Sequence, residues 1–369
     1  MKKTMLLISN MYPSKEYPHY GTFVKNFSNL SEHDFDVKLV VMTKCKGKLN
    51  KLFKYISFYI RIIYYILFNK NDIVYVHYIS HVCLPLLLCK KIKEFTLYIN
   101  VHGSDIVPET QLGCKLSKYV DIIMGKANRI IVPSSYFKEL LISEHEVAEE
   151  NICIYPSGGI DPNMFYKISE EDKVLTKKIL ELNPKFKYWG FASRIDVGKG
   201  WEIFMDAITE IKNENDDFFT SNRIIIIGSG KYEQKLDDMI KQYDMESYII
   251  RKSMLNQKEL AMFYQIFDWF VFPTYRKGES LGLVGLEAMA CGVPVIATNY
   301  AGPATYIENE ENGLLFEYKN SHDLCLKLMR ASSISEKQYD DMKNKSLKTA
   351  EKYYPKNIEK IYREIFSDR

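Results

Sequence analysis

Two glutamates eight residues apart, Glu279 and Glu287, lie in the stretch Lys277–Ile296. Gly278–Gly282 reads as a loop that opens a helix, and Gly292-Val-Pro294 closes that helix before a strand. A helix N-terminus offers unpaired N–H groups and the positive end of a dipole, so it attracts phosphate. Gly282 lets backbone amides, including that of Leu283, come close to a ligand. Carboxylates touching a phosphate would repel it. Glu279 and Glu287 are therefore expected to accept hydrogen bonds from hydroxyls, which sugars supply. Glu287 is expected about one and a half turns into the helix, on the apolar segment Leu286–Ala290, where an unpaired carboxylate is costly. Upstream, Ser193–Gly200 brings a planar five-donor fork, Arg194, near a mobile point charge, Lys199, between Gly198 and Gly200. That pair suits a diphosphate leaving group. His102 ends an apolar run ahead of Gly103, a position at the carboxyl edge of a sheet. Asp105 suits either the same site or a cap on the turn after Gly103.

These residues need a scaffold of parallel strands. Short Ile- and Val-rich runs are expected as strands at Thr4–Ser9, Asp36–Met42, Ile73–His77, Thr96–Val101, Arg129–Val132 and Ile152–Ile154. A second series is expected at Tyr188–Ala192, Arg223–Ile227, Tyr248–Ile250, Trp269–Val271 and Val293–Ala297. Helical stretches separate them, so each series predicts a doubly wound α/β domain. Pro156–Pro162 is the most loop-like stretch and marks the crossing between them. Near the end, Pro355 is expected to terminate a helix over Glu336–Lys352, ahead of a short last helix at Asn357–Phe366.

Taken in order, the motifs resemble glycosyltransferase family 4, the retaining nucleotide-sugar transferases. The resemblance rests on Glu279-x7-Glu287 with Ala288–Ile296, on Ser193–Gly200 and on Val101–Asp105. It extends to Ile154–Asp161 with Phe165, to Ala301–Pro303 and to Asn312–Leu315. It implies an α/β GT-B fold, two Rossmann-like doubly wound domains facing across a cleft. The first domain is expected over 1–165, on the acceptor side. The nucleotide-sugar domain is expected over 166–354, with a C-terminal helix at about 355–369 packing back on the first. The resemblance also implies roles. Arg194 and Lys199 hold the diphosphate, Glu279 the donor-sugar hydroxyls and Glu287 the ribose, while His102 lies near the transferred sugar. Amides near Gly282 and Leu283 meet phosphate or sugar, Gly21 approaches the phosphates, and the loop at Met254-Leu255 flanks the base. Its family often has two glycines where this chain has Gly21 alone.

The expected activity is transfer of a sugar from a nucleoside-diphosphate sugar, UDP favoured over GDP, to a hydroxyl of a glycan, lipid-linked by preference, with retention. No cofactor, metal or nucleic-acid partner is expected, because Arg194, Lys199 and the helix dipole supply positive charge. Rival readings are a nucleotide-sugar epimerase or phosphorylase on the same architecture, and a non-catalytic sugar-nucleotide-binding protein. Other patterns carry less. Gly228-Ser-Gly230 lacks the third glycine of a dinucleotide fingerprint. His77 and His81 have i,i+4 spacing but a strand is expected to end at His77, so no metal site is expected. No Gly-x-Ser-x-Gly elbow supports a hydrolase.

Composition adds limits. The 369 residues carry 46 % hydrophobic and 26 % charged residues, which is globular and excludes wholesale disorder. Seven cysteines without a Cys-x-x-Cys pair argue against a disulfide framework or zinc ribbon and suit a reducing, cytoplasmic setting. The apolar run Met5–Ser9 is too short for a signal peptide, so no cleaved leader is expected. Net charge is +3, yet residues 1–150 hold 20 basic against 14 acidic residues. Val37–Asn71 has eight basic residues, seven aromatic ones over Phe53–Phe68 and no acid. It is too interrupted to span a bilayer. It is read either as a core helix with a basic preamble or as a peripheral contact with an anionic membrane, reinforced by Lys90, Lys91 and Lys93.

Overall fold

The computed structural model describes residues 2–18, 20–156, 159–214 and 217–367. The chain forms two compact units, Met1–Gly158 with Ile361–Arg369, and Gly159–Lys360. The change of unit falls at Gly158, seven residues before the expected 165. Ser157 and Gly158 of the expected crossing loop, like His19 ahead of Gly21, lie outside the described residues.

The first unit is built on strands β1 (Lys3–Tyr12), β2 (Phe35–Thr43), β3 (Ile73–His77), β4 (Leu97–Asn100), β5 (Arg129–Val132) and β6 (Ile152–Ile154). They form one parallel sheet in the order β2-β1-β3-β4-β5-β6. Its helices are α1 (Thr22–Ser31), α2 (Lys48–Phe68), α3 (Cys83–Ile92), α4 (Gln111–Met124) and α5 (Ser135–His145). Met5–Ile8 and Ile73–Val76 are buried because helices cover both faces of a parallel sheet. The order reverses between β1 and β3, so the loops after these strands lie at the topological switch point.

Helix α2 has two unlike faces. Phe58, Ile62 and Ile66, four residues apart, pack into the core. The other face leaves Leu49, Leu52, Phe53, Ile56, Ile60, Tyr64 and Phe68 exposed. Part of its basic charge is structural. Arg61 donates to the carbonyls of Leu39 and Val41, and Lys54 to that of Thr43, alternate groups on edge strand β2. These bonds occupy backbone acceptors that an edge strand leaves unpaired. Lys93 donates to the carbonyls of Ile66, Leu67 and Asn69 and closes the end of the helix.

The second unit contains α6 (Glu170–Ile179), β7 (Lys187–Ala192), α7 (Trp201–Glu214), α8 (Phe218–Ser221), β8 (Asn222–Ile227), α9 (Glu233–Gln242), β9 (Ile249–Lys252) and α10 (Gln257–Ile266). It continues through β10 (Trp269–Phe272), α11 (Leu283–Ala290), β11 (Val295–Thr298), β12 (Gly313–Phe316), α12 (Ser321–Ser332), α13 (Glu336–Glu351) and the start of α14 (Pro355–Ser367). The sheet is parallel, in the order β12-β11-β10-β7-β8-β9. Its switch point lies at β7, between β8 and β10.

Strand β12 was not expected from the sequence, because Asn312-Gly313 looks like a turn. Buried Asn312 holds that turn by donating to the Tyr306 carbonyl and to Thr349 Oγ1. Gly313 admits the sheet register, since a Cβ there would stand 2.4 Å from the Val295 carbonyl oxygen. Pro355 does not merely end the preceding helix; it is the first residue of α14, where its missing N–H costs nothing. The last turns of α14 belong to the first unit: Phe366 packs on Phe35 and Tyr98, and the Ile365 carbonyl accepts from Arg129.

Candidate active-site loops

In the second unit the loops after β7, β8, β10 and β11 are locked together by glycines. Gly200 has φ 77°, and a Cβ on it would lie 1.8 Å from the Pro273 carbonyl oxygen. The loop holding Lys199 therefore lies against the end of β10 as no other residue type would allow. Gly228 and Gly230 likewise press on the carbonyls of Ser193 and Ile195. Their conformations serve loop packing, which accounts for them without a dinucleotide.

Lys199 Nζ donates to Glu279 Oε2 at 2.7 Å, and both side chains are largely buried. Thr274 Oγ1 lies 3.1 Å from the Gly198 carbonyl and 3.3 Å from the same carboxylate oxygen. Its single proton serves one of them at a time. The Glu279 backbone is held at both ends, its N–H by the Arg276 carbonyl and its carbonyl by Gly302 N–H. Oε1 of Glu279 has no partner among the described residues. Arg194 is different. Its side chain is 58 % exposed and meets Asp196 at 3.4 Å, a surface pair that contributes about 0–1 kcal/mol. It is free to swing toward a ligand, whereas Lys199 must leave Glu279 to do so.

Helix α11 starts at Leu283 from a left-handed Gly282 with no side-chain cap. Its first N–H groups are thus not taken up by a capping oxygen. The Gly282 carbonyl accepts from the Tyr306 hydroxyl, which fixes the approach to the helix. Glu287 is the fifth residue of this helix, about one turn in rather than one and a half, because the left-handed Gly282 delays the start. Burial raises its carboxyl to about 7, against the opposing pull of the nearby Tyr264 hydroxyl. Leu255 packs on the core ahead of α10, whose Asn256–Glu259 capping box sets that loop.

The first unit brings together a different set. Nδ1 of buried His77 lies 2.9 Å from Nε2 of His102. Desolvation lowers His102 to about 3 and His77 well below the ordinary histidine value, so both rings are neutral. Asp105 does cap the turn: Oδ1 accepts from the backbone N–H groups of His102 and Gly103. Burial raises its carboxyl to about 6. His81 stacks on Tyr78 and is separate from the pair. Gly21 caps α1 at φ 75°, with Met11 backbone atoms 2.6 Å from where a Cβ would be. The chain's own backbone thus requires this glycine. Sequence reasoning missed Thr274, Tyr306 and the partnership of His77. Only the last left a signal, since His77 and His102 close successive expected strands.

Residues 172–349 match the family model of glycosyl transferases group 1. The uncharacterized glycosyltransferase MJ1178 of Methanocaldococcus jannaschii is 26 % identical over 98 % of this chain and 99 % of its own length. Other curated relatives are matched over about half of theirs. Sucrose-phosphate synthase from Thermosynechococcus elongatus superposes with a TM-score of 0.77 at 16 % identity, with complete coverage of both chains. Anabaena Alr3699/HepE in complex with UDP gives 0.75 at 17 %, again with complete coverage. The two six-stranded parallel sheets with flanking helices match the Rossmann-like pair of the GT-B fold. The family match over 172–349 and the GT-B fold of the chain support a glycosyltransferase, with the group 1 region on the second unit.

Proposed function

We propose that the protein is a retaining, metal-independent glycosyltransferase. It moves a sugar from a nucleoside-diphosphate sugar to a hydroxyl of a lipid-linked glycan in cell-surface polysaccharide synthesis. The observation that carries this reading is the Lys199–Glu279 pair at the switch point of the second sheet, in the same group of loops as the uncapped start of α11. A diphosphate draws Lys199 and Arg194, and the N–H groups of Gly282 and Leu283 add the positive end of a helix. The charge developing on the leaving diphosphate is met without a metal. Glu279 keeps Oε1 for a sugar hydroxyl, Glu287 takes the ribose, and the loop at Leu255 flanks the base. The first unit presents the acceptor, with His102 near the transferred sugar. The HepE complexes with UDP and with UDP-glucose favour a UDP-sugar donor.

The same proposal includes peripheral contact between the first unit and an anionic membrane on the cytoplasmic side. No helix among the described residues is long and apolar enough to cross a membrane. The exposed face of α2 within 37–71 continues onto α3, which packs beside it and exposes Leu84, Leu88 and Ile92. Lys48, Lys51 and Lys91 are exposed as well, whereas Lys54, Arg61, Lys90 and Lys93 are held by backbone carbonyls.

Thermal shift with a panel of nucleotide sugars tests the donor, because a ligand of the folded state stabilises it with the logarithm of its excess over Kd. A UDP-sugar is expected to raise Tm and to be consumed only when an acceptor is added. Calorimetry with UDP and GDP then separates the glutamates. Glu279→Gln should bind free UDP as wild type does, and Glu287→Gln should bind it more weakly. Equal losses would refute that division.

A further inference from the structure

His77 closes β3, and His102 follows β4, its parallel neighbour, with His77 in register with Asn100. The two imidazoles therefore reach across from adjacent strand ends and share a single proton over 2.9 Å. Three aromatic rings pack around His77. The rings of Phe27 and Tyr75 lie at 5.1 Å and that of Phe23 at 5.7 Å, edge-on at interplanar angles of 80°, 61° and 67°. Nε2 of His77 is buried without a partner. A buried N–H left without an acceptor is rarer in folded proteins than an acceptor left without a donor. The proton of His77 is therefore on Nδ1 and is donated to Nε2 of His102. Neutral His102 must then carry its own proton on Nδ1, which has no partner among the described residues.

We infer that His77 is a positioning residue that fixes His102 in the Nδ1–H form, so that His102 meets its ligand as a hydrogen-bond donor. Its matching group is an oxygen acceptor, such as a sugar hydroxyl or ring oxygen. That half of the inference rests on the transferase reading above. The other titratable groups around the pair do not compete for the proton. Asp105 Oδ1 accepts from the backbone N–H groups of His102 and Gly103 while its Oδ2 is buried and bonds to neither imidazole, the Tyr75 hydroxyl accepts from Asn100, and the Tyr78 hydroxyl pairs with Ser104.

Long-range proton–nitrogen NMR on the ligand-free, full-length chain with 15N-labelled histidine reads the tautomer directly, His102→Gln identifying the signal. The expected result is a protonated Nδ1 and an unprotonated Nε2 at His102. His77→Asn, whose amide donates from nearly the same place, should keep that pattern. His77→Asp, an acceptor, should move the proton of His102 to Nε2. If the aspartate variant does not fold, His77→Phe should give a mixture of both forms. An Nε2–H signal in the wild type, or a tautomer indifferent to these changes, overturns the inference. With the donor sugar identified, kcat should fall about 10-fold or more in His77→Asp and be rescued in His77→Asn. A tautomer as expected with equal activity in both variants overturns the ligand half alone. Failure of every nucleotide sugar to bind refutes the transferase reading and leaves the NMR result standing.

Discussion

The loops at the two switch points solve opposite electrostatic problems. In the second unit a lysine and a glutamate are already paired, an arginine is held only by an exposed contact with Asp196, and a helix start is left uncapped. In the first unit the imidazoles of His77 and His102 are neutral and Asp105 Oδ1 is taken by backbone N–H groups. In the largely buried ion pair each charge offsets part of the other's desolvation cost, and an incoming anion can exchange for the carboxylate. The imidazoles stay neutral because burial without a counter-charge penalises the cation. On the proposed transferase reading, charge is stored where a charged ligand is held, and a directional hydrogen bond is kept where a neutral one is oriented.

The frame of the charged loops offers the largest test. Gly200→Ala places a methyl against the Pro273 carbonyl at φ 77° and should destabilise the fold by about 3 kcal/mol in urea denaturation. Gly47→Ala has the same sign of φ but open space around it, and should cost only about 1 kcal/mol. Next are the charges themselves. Arg194→Ala or Lys199→Ala should lower kcat by roughly 10²-fold, and Lys199→Ala, which leaves Glu279 buried without its partner, should lower the urea midpoint as well. Wild-type turnover in either would break the contrast between the units.

Stability against pH should show the two signs separately. Glu287 has a raised carboxyl, so the folded state binds more protons than the unfolded state and stability falls as pH rises from the ordinary carboxylate range through about 7. Glu287→Gln should remove that decline between pH 5 and pH 8. His102 has a lowered pKa, so its share of stability is present above the ordinary histidine value and is lost as pH falls toward about 3. His102→Gln should flatten that acid limb. Urea midpoints across pH check both.

The smallest effect concerns the outer face of the first unit. Wild type should sediment with anionic vesicles and be released by salt, whereas Lys48→Glu with Lys51→Glu and Phe53→Ser should not sediment. No binding by wild type would leave the exposed face of α2 without a membrane role.

The parallel α/β series and the loops carrying Arg194, Lys199, Glu279 and His102 are written in local sequence, because buried parallel strands are short apolar runs and glycines mark the tight loops. The amphipathic α2 is partly legible too. Its core stripe repeats every four residues, but which basic residues serve β2 depends on the edge of a distant strand. Strand β12 escapes sequence reasoning because its turn is held by buried Asn312 and Thr349, thirty-seven residues apart. The same holds at the site. The motifs and the family resemblance offered Lys199 and Glu279 as separate ligands for different parts of a substrate; only the fold pairs them, across eighty residues. Likewise the sequence supplied His77 and His102 as two strand-end histidines. Register between β3 and β4 decides that they share a proton, because a hydrogen bond depends on where two chains pass each other and not on what each contains.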